Sequence, residues 1–203
     1  MRDETRAKRE AEIIDAAYML LEQKGAAGMS MLAVAKAAKA SNETLYNWYG
    51  DKLGLFRAMA ERNGEALVAR LEAALAEDAS PLEALDGLGP VLLELLTSSR
   101  AVALARAAAA DPTGSLGSAL ADAGRHQVKP MIAALCQKAL DERALKGGDA
   151  DAIYDTYISL LLGDSQIRRA IHAAPQPTKA EIRSRADRAL MLTWKLYARE
   201  DTR

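Results

Sequence analysis

A single cysteine, Cys136, and two widely separated histidines, His126 and His172, leave a chain of 203 residues without the material for an internal disulfide or a zinc cage. Cys136 reads as small apolar filler within Ile132-Ala-Ala-Leu-Cys136. No apolar run approaches the roughly 18 to 20 residues that span a bilayer. The start, Met1-Arg-Asp-Glu-Thr-Arg-Ala-Lys-Arg-Glu10, lacks the apolar stretch of a signal peptide, so a cytoplasmic protein with no membrane partner is expected. A surplus of one charge is missing too: 27 Lys+Arg against 28 Asp+Glu give a net charge of −1. That balance excludes a broadly basic nucleic-acid binder, but not one whose footprint is a few well-placed groups. The best strand formers are scarce as well. Val (5) and Ile (8) are far outnumbered by 43 Ala, so the expected fold class is all-α.

What is present is a succession of helix signals, about nine helices in all. From about Arg6, Ile13, Ala17, Leu20 and Leu21 form one apolar stripe, which Gly25 ends. Ser30 and Ser41 are N-cap candidates for two short helices, the second being Asn42-Glu-Thr-Leu-Tyr-Asn-Trp-Tyr49 closed by Gly50. Asp51 caps a fourth helix running from Lys52 to about Leu75. Ser80-Pro-Leu-Glu83 combines a capping box with Pro at the first helical position, and Pro90 is expected to kink or end that helix. Helical material covers 100–110 and resumes to about 145, with Gly124 and Pro130 as breaks. Two long helices close the chain, over about 149–173 and 178–198, the second opening with the capping box Thr178-Lys-Ala-Glu181.

In those last two helices, Tyr157-Ile-Ser-Leu-Leu-Leu162 and Ala189-Leu-Met-Leu-Thr-Trp-Lys-Leu-Tyr197 carry apolar side chains on nearly all sides. A helix that buries one stripe needs less, so each wants two apolar neighbours. One is the chain's own core; the other is expected to be the same pair of helices from a second copy, stacked as a four-helix bundle about a two-fold axis, the alternative being that the other helices of a single subunit cover both sides.

Of the nine aromatic residues, Tyr46, Trp48, Tyr49 and Phe56 fall within eleven positions. Helical periodicity turns Leu45, Trp48 or Tyr49, and Phe56 inward, and leaves Tyr46 and Asn47 facing elsewhere. An outward tyrosine beside Asn42, Thr44 and Asn47, on the second of two short helices joined by a tight turn, is what a helix-turn-helix needs to meet base edges in the major groove. Lys52 adds to this. A lysine in the first turn of a helix opposes the macrodipole, whereas a DNA phosphate docked there would favour both the lysine and the free N–H groups.

Ile13-Ile-Asp-Ala-Ala17, Leu20-Leu21, Gly25, Val34-Ala35, Ala38-Lys-Ala-Ser41, Thr44-Leu-Tyr46, Trp48-Tyr49 and Lys52 followed by Leu55 resemble the TetR/AcrR family of bacterial transcription regulators over about residues 9–60. More loosely, Leu160-Leu-Leu-Gly-Asp164 and the Pro-interrupted approach to the final helix resemble AefR-like members. The resemblance implies a helix-turn-helix DNA-binding region over 9–69, comprising a three-helix unit to about 49 and a connecting helix from 52. It implies a ligand-binding and dimerisation domain over 70–203, with a homodimer through about 149–173 and 178–198. Carried over to this chain, Asn42, Glu43, Thr44, Tyr46 and Asn47 face the groove, and Ser30, Trp48 and Lys52 lie near the phosphates. The partners implied are double-stranded DNA with a palindromic operator and a small-molecule effector; no cofactor or metal is implied.

Two departures stand out. Lys39 occupies the turn position where the family usually has glycine, and Trp48-Tyr49 stands where histidine and phenylalanine usually follow the tyrosine. Glu43 is unusual near phosphates unless it accepts from a cytosine or adenine amino group. The middle helices, about 81–145, are Ala-rich and interrupted by Gly and Pro, which leaves room for a ligand cavity. The polar candidates for a pocket, Arg106, Gln127 and Asp164, read more simply as surface residues or i,i+4 partners, Asp164 with Arg168. An enzyme is disfavoured by the lack of a nucleophile with a nearby base, of metal-ligand spacing and of a glycine-rich phosphate loop. The competing class is a helical interaction or adaptor protein that has lost DNA binding.

Overall fold

The computed structural model describes residues 2–76 and 80–198, in which every regular element is helical. The order is α1 (Arg2–Gly28), α2 (Met31–Ala37), α3 (Asn42–Tyr49), α4 (Lys52–Ala76), α5 (Pro81–Leu96), α6 (Ser99–Ala109), α7 (Ser115–Ala123), a π-helical turn (Gly124–Val128), α8 (Lys129–Asp141), α9 (Ala150–Leu162), α10 (Ser165–Ala170) and α11 (Lys179–Tyr197). These are twelve helical segments among the described residues where about nine were expected. Part of the surplus comes from 149–173, which is two helices. Gly163 (φ 48, ψ −129) ends α9, and Arg185 Nε donates to the freed carbonyl of Leu161 at 2.7 Å.

Four of the expected caps form. Ser30, Ser41 and Asp51 each accept a backbone N–H three residues on, at 3.2, 3.0 and 2.8 Å, and Thr178 and Glu181 make a reciprocal capping box. The box expected at Ser80 and Glu83 does not: the Ser80 side chain caps nothing, and α5 starts on Pro81 with the Ala84 N–H bonded to the Ser80 carbonyl. Pro90 does not end α5, which continues to Leu96. A proline removes the N–H that would bond the carbonyl four residues back, here that of Asp86. Arg183 supplies the missing donor from α11, with Nη1 3.4 Å from that carbonyl and Nη2 2.6 Å from the Asp86 carboxylate.

The chain forms two compact units, each with its own core. The first comprises residues up to 63 and 99–123. It packs Ile13, Ala17 and Leu21 of α1 against Val34, Leu45, Phe56, Met59 and Leu104, all buried. The Tyr18 hydroxyl donates to the Met59 carbonyl at 2.6 Å, tying α1 to α4, and Arg100 of α6 pairs with Asp15 at 2.7 Å.

The second unit comprises residues 64–98 and 124 onward. Its core joins Leu67 and Leu71 of α4 to Leu85, Leu92 and Leu93 of α5, Ile132, Leu135 and Cys136 of α8, Ile153, Tyr157 and Leu161 of α9, and Ile182 of α11. Cys136 is fully buried, and burial pushes its thiol up to about 11, so it is packing material as expected. Gly89 lets three helices meet: a Cβ there would lie 2.5 Å from Tyr157 Oη and 3.2 Å from Ala186 Cβ. Gly89→Ala should therefore destabilise the protein by about 1–3 kcal/mol, the range for overpacked cores. Urea unfolding monitored by circular dichroism checks this; an unchanged midpoint would show that Tyr157 moves aside freely.

Candidate nucleic-acid interface

The short helix α3 is held by one apolar anchor. Leu45 is fully buried, while Trp48 and Tyr49 are half-buried and packed on the same core. Three residues of α3, Asn42, Glu43 and Asn47, are exposed, and Tyr46 is 50% exposed although it is a large aromatic residue. Thr44 is half-buried, and its Oγ1 lies 2.7 Å from Ser41 Oγ. The inward and outward faces are thus those given by periodicity, and the five expected groove-facing residues lie on one eight-residue helix.

The turn that aims this helix is a Schellman motif. The N–H of Ala40 bonds the Ala35 carbonyl at 2.9 Å, and the N–H of Lys39 bonds that of Lys36 at 3.3 Å. The motif requires a left-handed residue after the cap, and that residue is Lys39, at φ 52. For a residue with a Cβ this conformation costs roughly 1–2 kcal/mol, which glycine avoids. The Lys39 carbonyl accepts a hydrogen bond from Arg9 Nη2 of α1, and Arg9 Nη1 lies 2.6 Å from Glu12 Oε2.

Lys52 takes a position that sequence reasoning did not anticipate. Its ammonium donates to the carbonyl of Ala26, in the last turn of α1 just beyond the break at Gly25 (φ 65). Asp51 beside it caps α4, accepting from the Gly54 N–H at 2.8 Å. Ser30 stays exposed at the start of α2 while its hydroxyl caps that helix. Trp48 is flanked by Arg6, whose guanidinium carbon lies 5.4 Å from the ring centroid, and by Tyr49, edge-on at 6.5 Å. Arg6 and Arg9 were missed in the sequence. Their only signal was a spacing of three, which puts both on one face of α1.

Among the described residues, the Tyr49 hydroxyl is buried without a hydrogen-bond partner. Burial, and then the charge of Glu10, push it up to about 12. A buried hydroxyl that pairs with nothing is a net cost. Tyr49→Phe should raise the melting temperature by a few degrees, about 1 kcal/mol. A drop on thermal melting would reveal a partner for the hydroxyl.

In the second unit, an open groove of about 1010 Å³ lies along α9, α10 and α11. Leu160, Pro175 and Leu192 give it apolar walls, and Arg168, Arg185 and Arg188 give it positive charge. Of residues 81–145, where room for a cavity was expected, only Leu93 lines it. Asp164 and Arg168 approach to 3.9 Å as i,i+4 partners, Arg106 lies on α6, and the side chain of Gln127 is outside the described residues.

Comparison with known proteins gives one consistent answer. Residues 13–59 match the family described as bacterial regulatory proteins, tetR family. Residues 83–199 match the AefR-like transcriptional repressor C-terminal domain. None of the curated proteins matches the chain. Among solved structures, the chain is similar to one from Mesorhizobium loti MAFF303099 assigned to the TetR family of transcriptional regulators, with 24% identity, TM-score 0.78, and 95% of this chain and 98% of the other covered. A TetR transcriptional regulator from Agrobacterium tumefaciens is similar at 25% identity, TM-score 0.73, with 95% of each chain covered. A protein named flavonoid-responsive regulator FrrA is similar at 22% identity, TM-score 0.66, covering 96% and 99%.

Proposed function

The chain belongs to the TetR family of bacterial DNA-binding transcriptional regulators, and on that footing we propose that it is a homodimeric repressor that binds a palindromic operator and is released by a small molecule. The observation that carries the DNA-reading half is the exposed set Asn42, Glu43, Tyr46 and Asn47 on α3, a helix anchored through the buried Leu45. In this reading Ser30, Thr44, Trp48 and Lys52 belong to the same contact region, and Lys52 and the start of α4 meet a phosphate. The reader spans 9–69 and the sensing and dimerising body 70–203, in a cytoplasmic protein. Residues 1–62 carry 10 Lys+Arg and 9 Asp+Glu, so a single reader has little electrostatic pull, and two joined readers supply the affinity.

The dimer runs through 149–173 and 178–198. Ile167 and Ile171 are 62% and 66% exposed, and Met191 and Leu196 of α11 are 47% and 67% exposed. The neighbouring groove carries Arg168 and Arg188 together with Asp164 and Glu181 of the same chain, so it offers both signs of charge to a second copy related by a two-fold axis. For effector release, support comes from the similarity to a regulator named for its response to flavonoids. A ligand that prefers the DNA-incompetent spacing of the two readers shifts the population off the operator.

Enrichment from random duplex DNA tests the proposal: a recovered palindrome supports it, and no enrichment at low salt overturns it in favour of an adaptor. Lys52→Ala should weaken all sequences alike and lower the salt dependence by about one charge per reader. Because Lys52 also holds the Ala26 carbonyl, melting curves accompany the titration. Unchanged operator affinity in a mobility-shift titration would remove Lys52 from the phosphate contacts.

A further inference from the structure

The α2–α3 turn sets the angle at which α3 stands, and in this chain it depends on a residue poorly suited to it. Lys39 is held left-handed, and it is one of three residues other than glycine with positive φ among those described. A Schellman turn bonds the amides of the turn back into the helix but leaves the carbonyl of the left-handed residue without a partner in the motif. That carbonyl is the one Arg9 reaches from thirty residues earlier in the chain. Glu12, one turn further along α1, holds the other terminal nitrogen of the same guanidinium. Both ends of the fork are therefore engaged, on a side chain only 35% exposed, and its charge lies beside the C-terminal end of α2, where a cation is favoured.

We propose that Arg9, oriented by Glu12, is a positioning residue that clamps the Lys39 carbonyl and so fixes the turn from which α3 presents its DNA-reading face. A glycine at position 39 would hold the left-handed conformation unaided; a lysine there needs the external hold. Without it, Lys39 relaxes toward ordinary φ values, the two turn hydrogen bonds open, and Tyr46 and Asn47 lose their common aim. The proposal rests on the DNA-reading role of α3. It treats Arg9 as acting through the turn, with no contact of its own to DNA.

The test uses the full chain as Arg9→Ala, Lys39→Gly, the double variant and Arg9→Lys, titrated against the enriched operator and a scrambled duplex at several salt concentrations, with melting curves of each. Arg9→Ala is expected to lower operator affinity about tenfold, leaving the salt slope and the affinity for the scrambled duplex unchanged. In the Lys39→Gly background the same change should cost less than about twofold. Arg9→Lys, which cannot bond Lys39 and Glu12 at once through a planar fork, should restore only part of the loss. An equal loss in both backgrounds, or a salt slope lowered by about one charge per reader, would overturn the proposal and make Arg9 a phosphate contact. If the wild-type chain enriches no operator, the DNA-reading role itself fails. The clamp is then read from the melting curves alone: coupled effects of Arg9→Ala and Lys39→Gly support it, and additive effects overturn it.

Discussion

Asn47→Ala lowers affinity for the enriched palindrome by a factor between about 30 and 10⁴ and relaxes base preference at one symmetric pair of positions. The range follows from one side chain making a bidentate contact to an adenine edge, worth about 1–3 kcal/mol, counted once in each half-site. Because Asn47 is exposed on α3 while Leu45 anchors the helix from the opposite side, the substitution should leave the melting temperature unchanged. The loss is therefore one of recognition, separable from folding. Competition titrations with each base pair substituted in turn provide the measurement. A uniform loss over all sequences would move Asn47 to the phosphate-contacting set, and no loss would take it out of the interface. The contrast with Lys52 is the informative part, since a phosphate contact weakens every sequence equally.

Which face of α3 is outward was legible because it depends on periodicity alone, and one buried residue, Leu45, fixes it. The caps at Ser30, Ser41, Asp51 and Thr178 were legible for a similar reason: donor and acceptor lie three residues apart in the chain. What escaped the sequence depends on a partner brought in by tertiary folding. Pro90 reads as a helix end until Arg183 arrives from α11 to satisfy the Asp86 carbonyl. Lys39 reads as a defect in the turn until Arg9 reaches its carbonyl from α1. Lys52 reads only as a cation for a phosphate, and no local spacing shows that the break at Gly25 also leaves the Ala26 carbonyl within its reach. In all three cases a long basic side chain bonds a backbone carbonyl far from it in the chain, and no local spacing announces such a pairing.

The same distinction governs the dimer face. The apolar breadth of the last helices overstated what a second copy must cover, because Tyr154, Ile158, Leu162, Leu190 and Trp194 lie against the core of their own unit. The large apolar side chains left exposed there are Ile167 and Ile171 on and just after α10, and Met191 and Leu196 on α11. Replacing Ile167 and Met191 together by glutamate should convert the protein to a monomer. Both side chains are already more than two-fifths exposed, so the protomer should keep its melting behaviour. Facing a second copy, however, four carboxylates would be buried per interface without partners, at a cost several-fold larger than the apolar contact they replace. Operator binding should fall with the dimer. Joining two readers makes the second half-site encounter intramolecular, which contributes about 10²–10⁴ in affinity. Affinity for an isolated half-site should stay as it was, since α3 is untouched. Sedimentation of wild type and variant at micromolar concentration, alongside titrations of full and half operators, separates the two effects. A wild-type chain that sediments as a monomer, or a variant that remains a dimer with full operator affinity, would place the two-fold contact elsewhere on the molecule.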